Sequence, residues 1–97
     1  MTVVSANQTA DGNSSSHVSS GDIHALTVTV NSASDDARWY VQVQQESGSG
    51  SWKDLNDVRM FDNSSEKALL FVAKDGLNLR TRTELIKGTI DLKIEID

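Results

Sequence analysis

The sequence predicts an all-β chain: a single antiparallel β-sandwich or jelly roll led by a polar N-terminal arm. Three observations predict it. The closing run TIDLKIEI alternates strictly, with Ile90, Leu92, Ile94 and Ile96 on one side and Asp91, Lys93 and Glu95 on the other, which is the two-residue period of a half-buried strand. Further runs of the same period are separated by clusters of Gly, Asn, Asp and Ser, the residues that turns favour. No stretch of ten or more residues holds a convincing 3.6-residue spacing, although SEKALLFVAK is open to a helical reading if its β-branched and aromatic content is discounted. A partly open barrel is the nearest rival architecture.

The first segment, residues 1–22, is mostly Ser, Asn, Thr, Gly and Asp with scattered Val and Ala, too little apolar matter for a core of its own. It is expected as an arm, either loose or adding a strand at the edge of its own sheet or a neighbour's. The domain proper, residues 23–97, opens with IHALTVTV, where Leu26, Val28 and Val30 share a face and Thr27 and Thr29 the other. NSASDDA breaks this strand. RWYVQVQQ resumes it, with Trp39, Val41 and Val43 inward and Tyr40, Gln42 and Gln44 outward.

The run ESGSGSWKDL carries Gly48 and Gly50 between a strand and an apolar restart at Trp52. Glycine supplies the positive φ of a tight strand reversal, so the run reads as a hairpin bend. A dinucleotide fingerprint would need a glycine where Lys53 stands and a helix after it, and the Lys-Ser/Thr ending of a Walker loop is missing. SWKDL and VRMF follow, then the turn-like DNSSEK. ALLFVA is apolar on both faces, as in a central strand or one whose outer face meets another subunit. KDG is a turn, and LNLRTRTEL puts Leu77 and Leu79 opposite Asn78, Arg80 and Arg82.

Length and composition bound the function. A chain of 97 residues is one domain with a thin core. Val, Ile, Leu and Phe make up roughly a quarter of it, above the level of about 20% below which chains stay disordered. Cysteine is absent, which excludes disulfides, thiol nucleophiles and zinc knuckles, and two histidines make a His-rich metal site implausible. The net charge of −5 argues against a nucleic-acid backbone as partner. All basic residues lie from Arg38 onward, so the acidic leading segment either confers solubility or steers assembly. The opening MTVVSANQTADG has no basic or long apolar segment, so no secretory signal is expected, and the longest apolar run is too short to span a bilayer. Three Asn-X-Ser/Thr triplets, at Asn7, Asn13 and Asn63, carry no weight on that expectation.

No catalytic grouping emerges. There is no G-x-S-x-G elbow. His17 lies in the polar arm, and His24, at the start of its strand, is expected near the rim as a structural residue. Asp35 with Asp36 and Asp54 with Asp57 sit in turn-like stretches, where Asp caps backbone amides, and an enzyme is not expected. No cofactor or metal is expected either: calcium is the least easily dismissed alternative, since FDNSSE and ADGN offer hard oxygen ligands, but the EF-hand loop pattern is missing. Both Trp residues are expected in the core.

The candidate partner-contacting residues are Leu69, Phe71, Arg80, Arg82 and Tyr40. Arg80 and Arg82 share a face about 7 Å apart and either grip a partner's carboxylates or pair with cross-strand acids such as Glu95 or Asp91. Leu69 and Phe71 form an interface patch if one sheet face is uncovered, and ordinary core if the sandwich is closed.

WYVQVQQESGSGSWKDL followed by LNLRTRTELIKGTIDLKIEI resembles the small β-sandwich virion proteins of tailed bacteriophages, the head decoration or cement proteins and tail-associated modules. Val41, Val43, Gly48, Trp52 and Leu55 carry the likeness, over roughly residues 23–97. It implies a structural protein made in the host cytoplasm and located in the virion. Its partners would be itself, as a homo-oligomer such as a trimer, and the major capsid protein or another virion protein, with no nucleic acid and no membrane. The alternative is a carbohydrate- or receptor-binding β-sandwich module of a tail or fibre, using residues near Tyr40 and from Asp62 to Glu66.

Overall fold

The computed structural model describes residues 2–47, 50–55, 59–61, 66–73 and 75–96, with the side chains at 2, 47, 59–61, 66, 67 and 69 outside the description. The described strands are β1 (Thr2–Gln8), β2 (Gly12–Asn13), β3 (His17–Val18), β4 (Ile23–Ala33), β5 (Arg38–Ser47), β6 (Ser51–Asp54), β7 (Arg59–Phe61), β8 (Glu66–Val72), β9 (Asn78–Lys87) and β10 (Ile90–Ile96). They form two antiparallel sheets, a four-stranded one ordered β1-β10-β4-β8 and a six-stranded one ordered β2-β9-β5-β6, in which β3 also pairs with β9 and β7 with β5. The expected all-β antiparallel sandwich is what the chain adopts. SEKALLFVAK contributes β8, not a helix.

The core lies between the sheets and follows the alternation. Leu26, Val28, Leu92, Ile94 and Ile96 from one sheet and Trp39, Val41, Val43 and Leu79 from the other are all essentially inaccessible to solvent. Leu92, Ile94 and Ile96 stand directly opposite Val30, Val28 and Leu26, so the two central strands of the smaller sheet present one continuous apolar surface. A register shift then adds Asn31 to β4, and the strand's inward position passes from Val30 to Ala33. One inserted residue reverses the parity of a strand.

The expected arm, residues 1–22, supplies edge strands to both sheets. β1 lies along β10, while β2 and β3 lie along β9. The boundary at residue 22 therefore does not separate two units in the strand pairing. Backbone pairing holds the segment, since Val4 is its one buried large apolar side chain among the described residues. Side-chain oxygens help: Asp11 accepts from the Leu85 amide and Ser14 from the Thr81 amide.

Two pairs of turns tie the sheets together at opposite ends. At one end the β4–β5 turn meets the β9–β10 turn: Ser34 N donates to Thr89 O (2.9 Å), and Thr89 N donates to Ser34 Oγ (3.0 Å). At the other, the segment before β4 meets the β8–β9 turn. There Gly21 N donates to Asp75 Oδ1 (2.8 Å), Asp75 N to Asp22 Oδ1 (3.0 Å) and Gly76 N to Ser19 O (3.0 Å). Each of these turns carries the chain from one sheet to the other, so their mutual bonds fix the sheets' spacing.

His24, expected at the rim, is buried instead. It is 1% exposed, with Nε2 2.8 Å from Gly21 O and its ring stacked on Phe71 at 5.7 Å. Its inward parity on β4, shared with Leu26, outweighs its terminal position.

A polar side chain of the core has a testable consequence. Thr81, on the inner face of β9 opposite Val43, buries its Oγ1 without a hydrogen-bond partner. An unpaired buried hydroxyl costs free energy that an apolar group of the same shape does not. Thr81→Val is expected to raise stability by about 1 kcal/mol, read as a higher urea midpoint with an unchanged slope; a lower midpoint would show that the hydroxyl is used.

Candidate functional site

The outward face of the six-stranded sheet gathers most of the polar functional side chains. Because β5 and β9 pair with Tyr40 opposite Glu84, Gln42 opposite Arg82 and Gln44 opposite Arg80, their outward residues form two parallel rows. β6 adds a third, with Asp54 opposite Gln44 and Trp52 opposite Glu46. From Tyr40 to Glu46 the rows run about 20 Å at the rise of an extended strand.

These side chains hold one another. Gln42 Nε2 donates to Asp54 Oδ2 (2.9 Å) and Gln44 Nε2 to Asp54 Oδ1 (3.2 Å), so one carboxylate bridges two amides. Arg80 Nε donates to Gln44 Oε1 (3.0 Å), and its guanidinium carbon lies 4.1 Å from the centre of the Trp52 ring. Asn78 Nδ2 donates to Glu46 Oε2 (2.9 Å), and Arg82 pairs with Glu84 at 2.9 Å. Gln42 is 7% exposed although it points away from the core, and its Oε1 has no partner.

Tyr40 Oη donates to Glu84. This bond, with burial and the charge of Glu84 behind it, raises the phenol pKa above its ordinary value. The neutral phenol is thus favoured in the fold, a contribution fully present below the pKa of unfolded tyrosine and lost as pH rises through the higher folded one. Tyr40 is the chain's single tyrosine, so the phenolate absorbance belongs to it alone. Its midpoint is expected above that of free tyrosine and is expected to fall towards it in Glu84→Gln; a midpoint unmoved by that change contradicts the bond.

The sequence candidates divide as follows. Tyr40, Arg80 and Arg82 come together on this face. The expected partners Asp91 and Glu95 do not reach the arginines, because β10 belongs to the other sheet. Phe71 is core, 7% exposed. Leu69 stands opposite Leu26 in register, and its side chain lies outside the described residues. So do Asp57 and residues 62–65, the rival loop site. Trp52, expected in the core, is half-buried on the outer face because its register position on β6 is outward. Among the described residues no cluster of His, Asp or Glu could hold a metal ion; Asp36 of the Asp35-Asp36 pair caps its own turn by accepting from Ser34 Oγ.

Sequence reasoning found the face's two arginines and Tyr40 but missed Trp52, Asp54 and Glu46. The signal available was the outward parity of Gln42 and Gln44 and the hairpin that folds Trp52 back beside them.

No family model matches the chain, and no curated protein matches it. Among solved structures it is similar to the CBM22-1 xylan-binding domain of Xyn10C from Paenibacillus barcinonensis, at 12% identity and a TM-score of 0.46, over 98% of this chain and 83% of that one. A likeness at that level transfers no ligand.

Proposed function

We propose that the chain is a saccharide-binding β-sandwich module whose ligand lies across the outer face of the six-stranded sheet. The observation that carries this reading is the open row of planar polar side chains beside a half-exposed indole: Gln44, Asp54, Arg80 and Asn78 next to Trp52. A sugar presents hydroxyls around its edge, each both donor and acceptor, and C–H groups on its faces. Amides, carboxylates and guanidinium groups meet the hydroxyls in complementary pairs. An aromatic plane meets the C–H face.

The mutual hydrogen bonds reduce the entropy lost on binding, because these long side chains are already ordered. Gln42 is buried beneath this face and supports it by its bond to Asp54. A protein partner fits less well, since protein interfaces centre on an apolar core depleted of charge, and this face centres on Gln42, Gln44 and Arg80.

The test is binding to a broad panel of soluble polysaccharides by affinity electrophoresis, followed by calorimetry on those retained. At least one is expected to bind, and Trp52→Ala is expected to weaken it about tenfold or more, a loss of about 1.4 kcal/mol, with the far-UV spectrum unchanged. No binding across the panel, or full binding by Trp52→Ala, overturns the reading.

A further inference from the structure

The strand edges of the sandwich are not alike. β1, at one edge of the four-stranded sheet, is broken by two register shifts against β10. The edges of the six-stranded sheet consist of short pieces, β2 with β3 on one side and β6 with β7 on the other. Bulged or short edge strands are the usual protection against pairing with another chain. β8 has neither device: it pairs with β4 without a register shift from Glu66 to Val72.

Among its described side chains the exposed ones are apolar. Leu70 is 79% and Val72 72% exposed, and Ile23, which faces Val72 across the ladder, is 71% exposed. Ala68, also exposed, continues the row. Towards β10 the same outer face turns polar, with Lys93 paired to Glu95, which separates the apolar strip from the exposed Val3 on β1.

The hydrogen-bond parity of the strand fits these exposures. Ala73 N donates to Asp22 O, so in the alternating antiparallel ladder 71 and 69 also bond towards β4. The amides and carbonyls of 68, 70 and 72 then point to the open edge. The residues with free backbone groups are the residues with exposed apolar side chains.

We infer that β8 pairs antiparallel with β8 of a second copy of this chain, with Leu70 on the two-fold axis. In that register Leu70 meets Leu70, Ala68 meets Val72, and all three make ladder hydrogen bonds across the axis. No charged residue falls between 68 and 72, so the central pairs meet without like-charge repulsion. The pairing is isologous and closes at two copies, joining two four-stranded sheets into one.

Sedimentation equilibrium over a wide concentration range tests it, with a dimer of twice 10.6 kDa expected at the upper end. Leu70→Arg, at a site so exposed that folding is untouched, is expected to sediment as a monomer throughout with a native spectrum. The chain has no cysteine, so Leu70→Cys gives a direct geometric readout. Hydrogen-bonded pairs place Cα atoms about 5.5 Å apart, within disulfide reach. Mild oxidation is expected to link Leu70→Cys as a dimer and to leave Val18→Cys, exposed on the other sheet, unlinked. A wild-type chain that stays monomeric at every concentration overturns the inference. So does a dimer that survives Leu70→Arg, or equal cross-linking of both cysteine variants.

Discussion

Trp39→Ala is expected to cost the fold about 3–5 kcal/mol, the range for deleting a fully buried large aromatic side chain. Trp39 is inaccessible to solvent and stands on the inner face of β5 opposite Leu85, in line with Val41 and Val43. Removing the indole leaves a void in the layer where the two sheets meet, and strands fixed by ladder bonds on both sides cannot collapse into it. Small domains are stable by about 5–15 kcal/mol in total, so the loss takes a large share of the whole. At about 4–8 °C per kcal/mol for a domain of this size, the melting midpoint falls by some tens of degrees. Urea unfolding followed by far-UV circular dichroism measures it. Trp39→Phe keeps most of the volume and is expected to lose clearly less. A loss under about 1 kcal/mol in Trp39→Ala would show that the layer closes around the gap.

Trp39 and Trp52 also show where the sequence is legible and where it is not. Trp39 sits in RWYVQVQQ, whose alternation assigns it to the core without reference to anything distant. Trp52 stands in a four-residue strand with no alternation of its own, and its face is decided by pairing with Glu46 across the hairpin. Bulk suggested core; register put it outside beside Arg80. The same limit applies to ALLFVA. Apolar residues at every position carry no parity, so the sequence could not distinguish Leu69 and Phe71 from Leu70 and Val72. Only the ladder to β4, which places Phe71 opposite the buried His24, separates the inward Phe71 from the exposed Leu70 and Val72.

The N-terminal strands were illegible for another reason. β1, β2 and β3 are held by bonds to β9 and β10 made over long sequence separations, such as Ser14 Oγ to the Thr81 amide, and local composition carries no trace of them. The virion resemblance rested on Val41, Val43, Gly48, Trp52 and Leu55, a hairpin pattern that many sandwiches share.

Gly88→Ala is expected to cost about 2–5 kcal/mol, and the reason lies in how the two sheets are joined. Gly88 has a φ of +80°, where an L side chain is strained by about 1–2 kcal/mol. An added Cβ would also lie 2.5 Å from Ser34 Oγ, 2.8 Å from Ala37 Cα and 2.9 Å from Ala37 N. Two of those atoms are backbone and cannot rotate aside. Ser34 Oγ is held too, accepting from the Thr89 amide and donating to Asp36. Relief therefore requires the β4–β5 turn to move away from the β9–β10 turn, opening the bonds that tie the sheets at that end. Gly76, in the β8–β9 turn, supplies the control. Its φ is +83°, yet a Cβ there meets nothing within 4 Å, so Gly76→Ala is expected to lose only the backbone strain, about 1–2 kcal/mol. The gap between the two variants in urea measures the packing of one turn on the other. Equal losses would mean that the turns separate freely and that the sheets are held by the core alone.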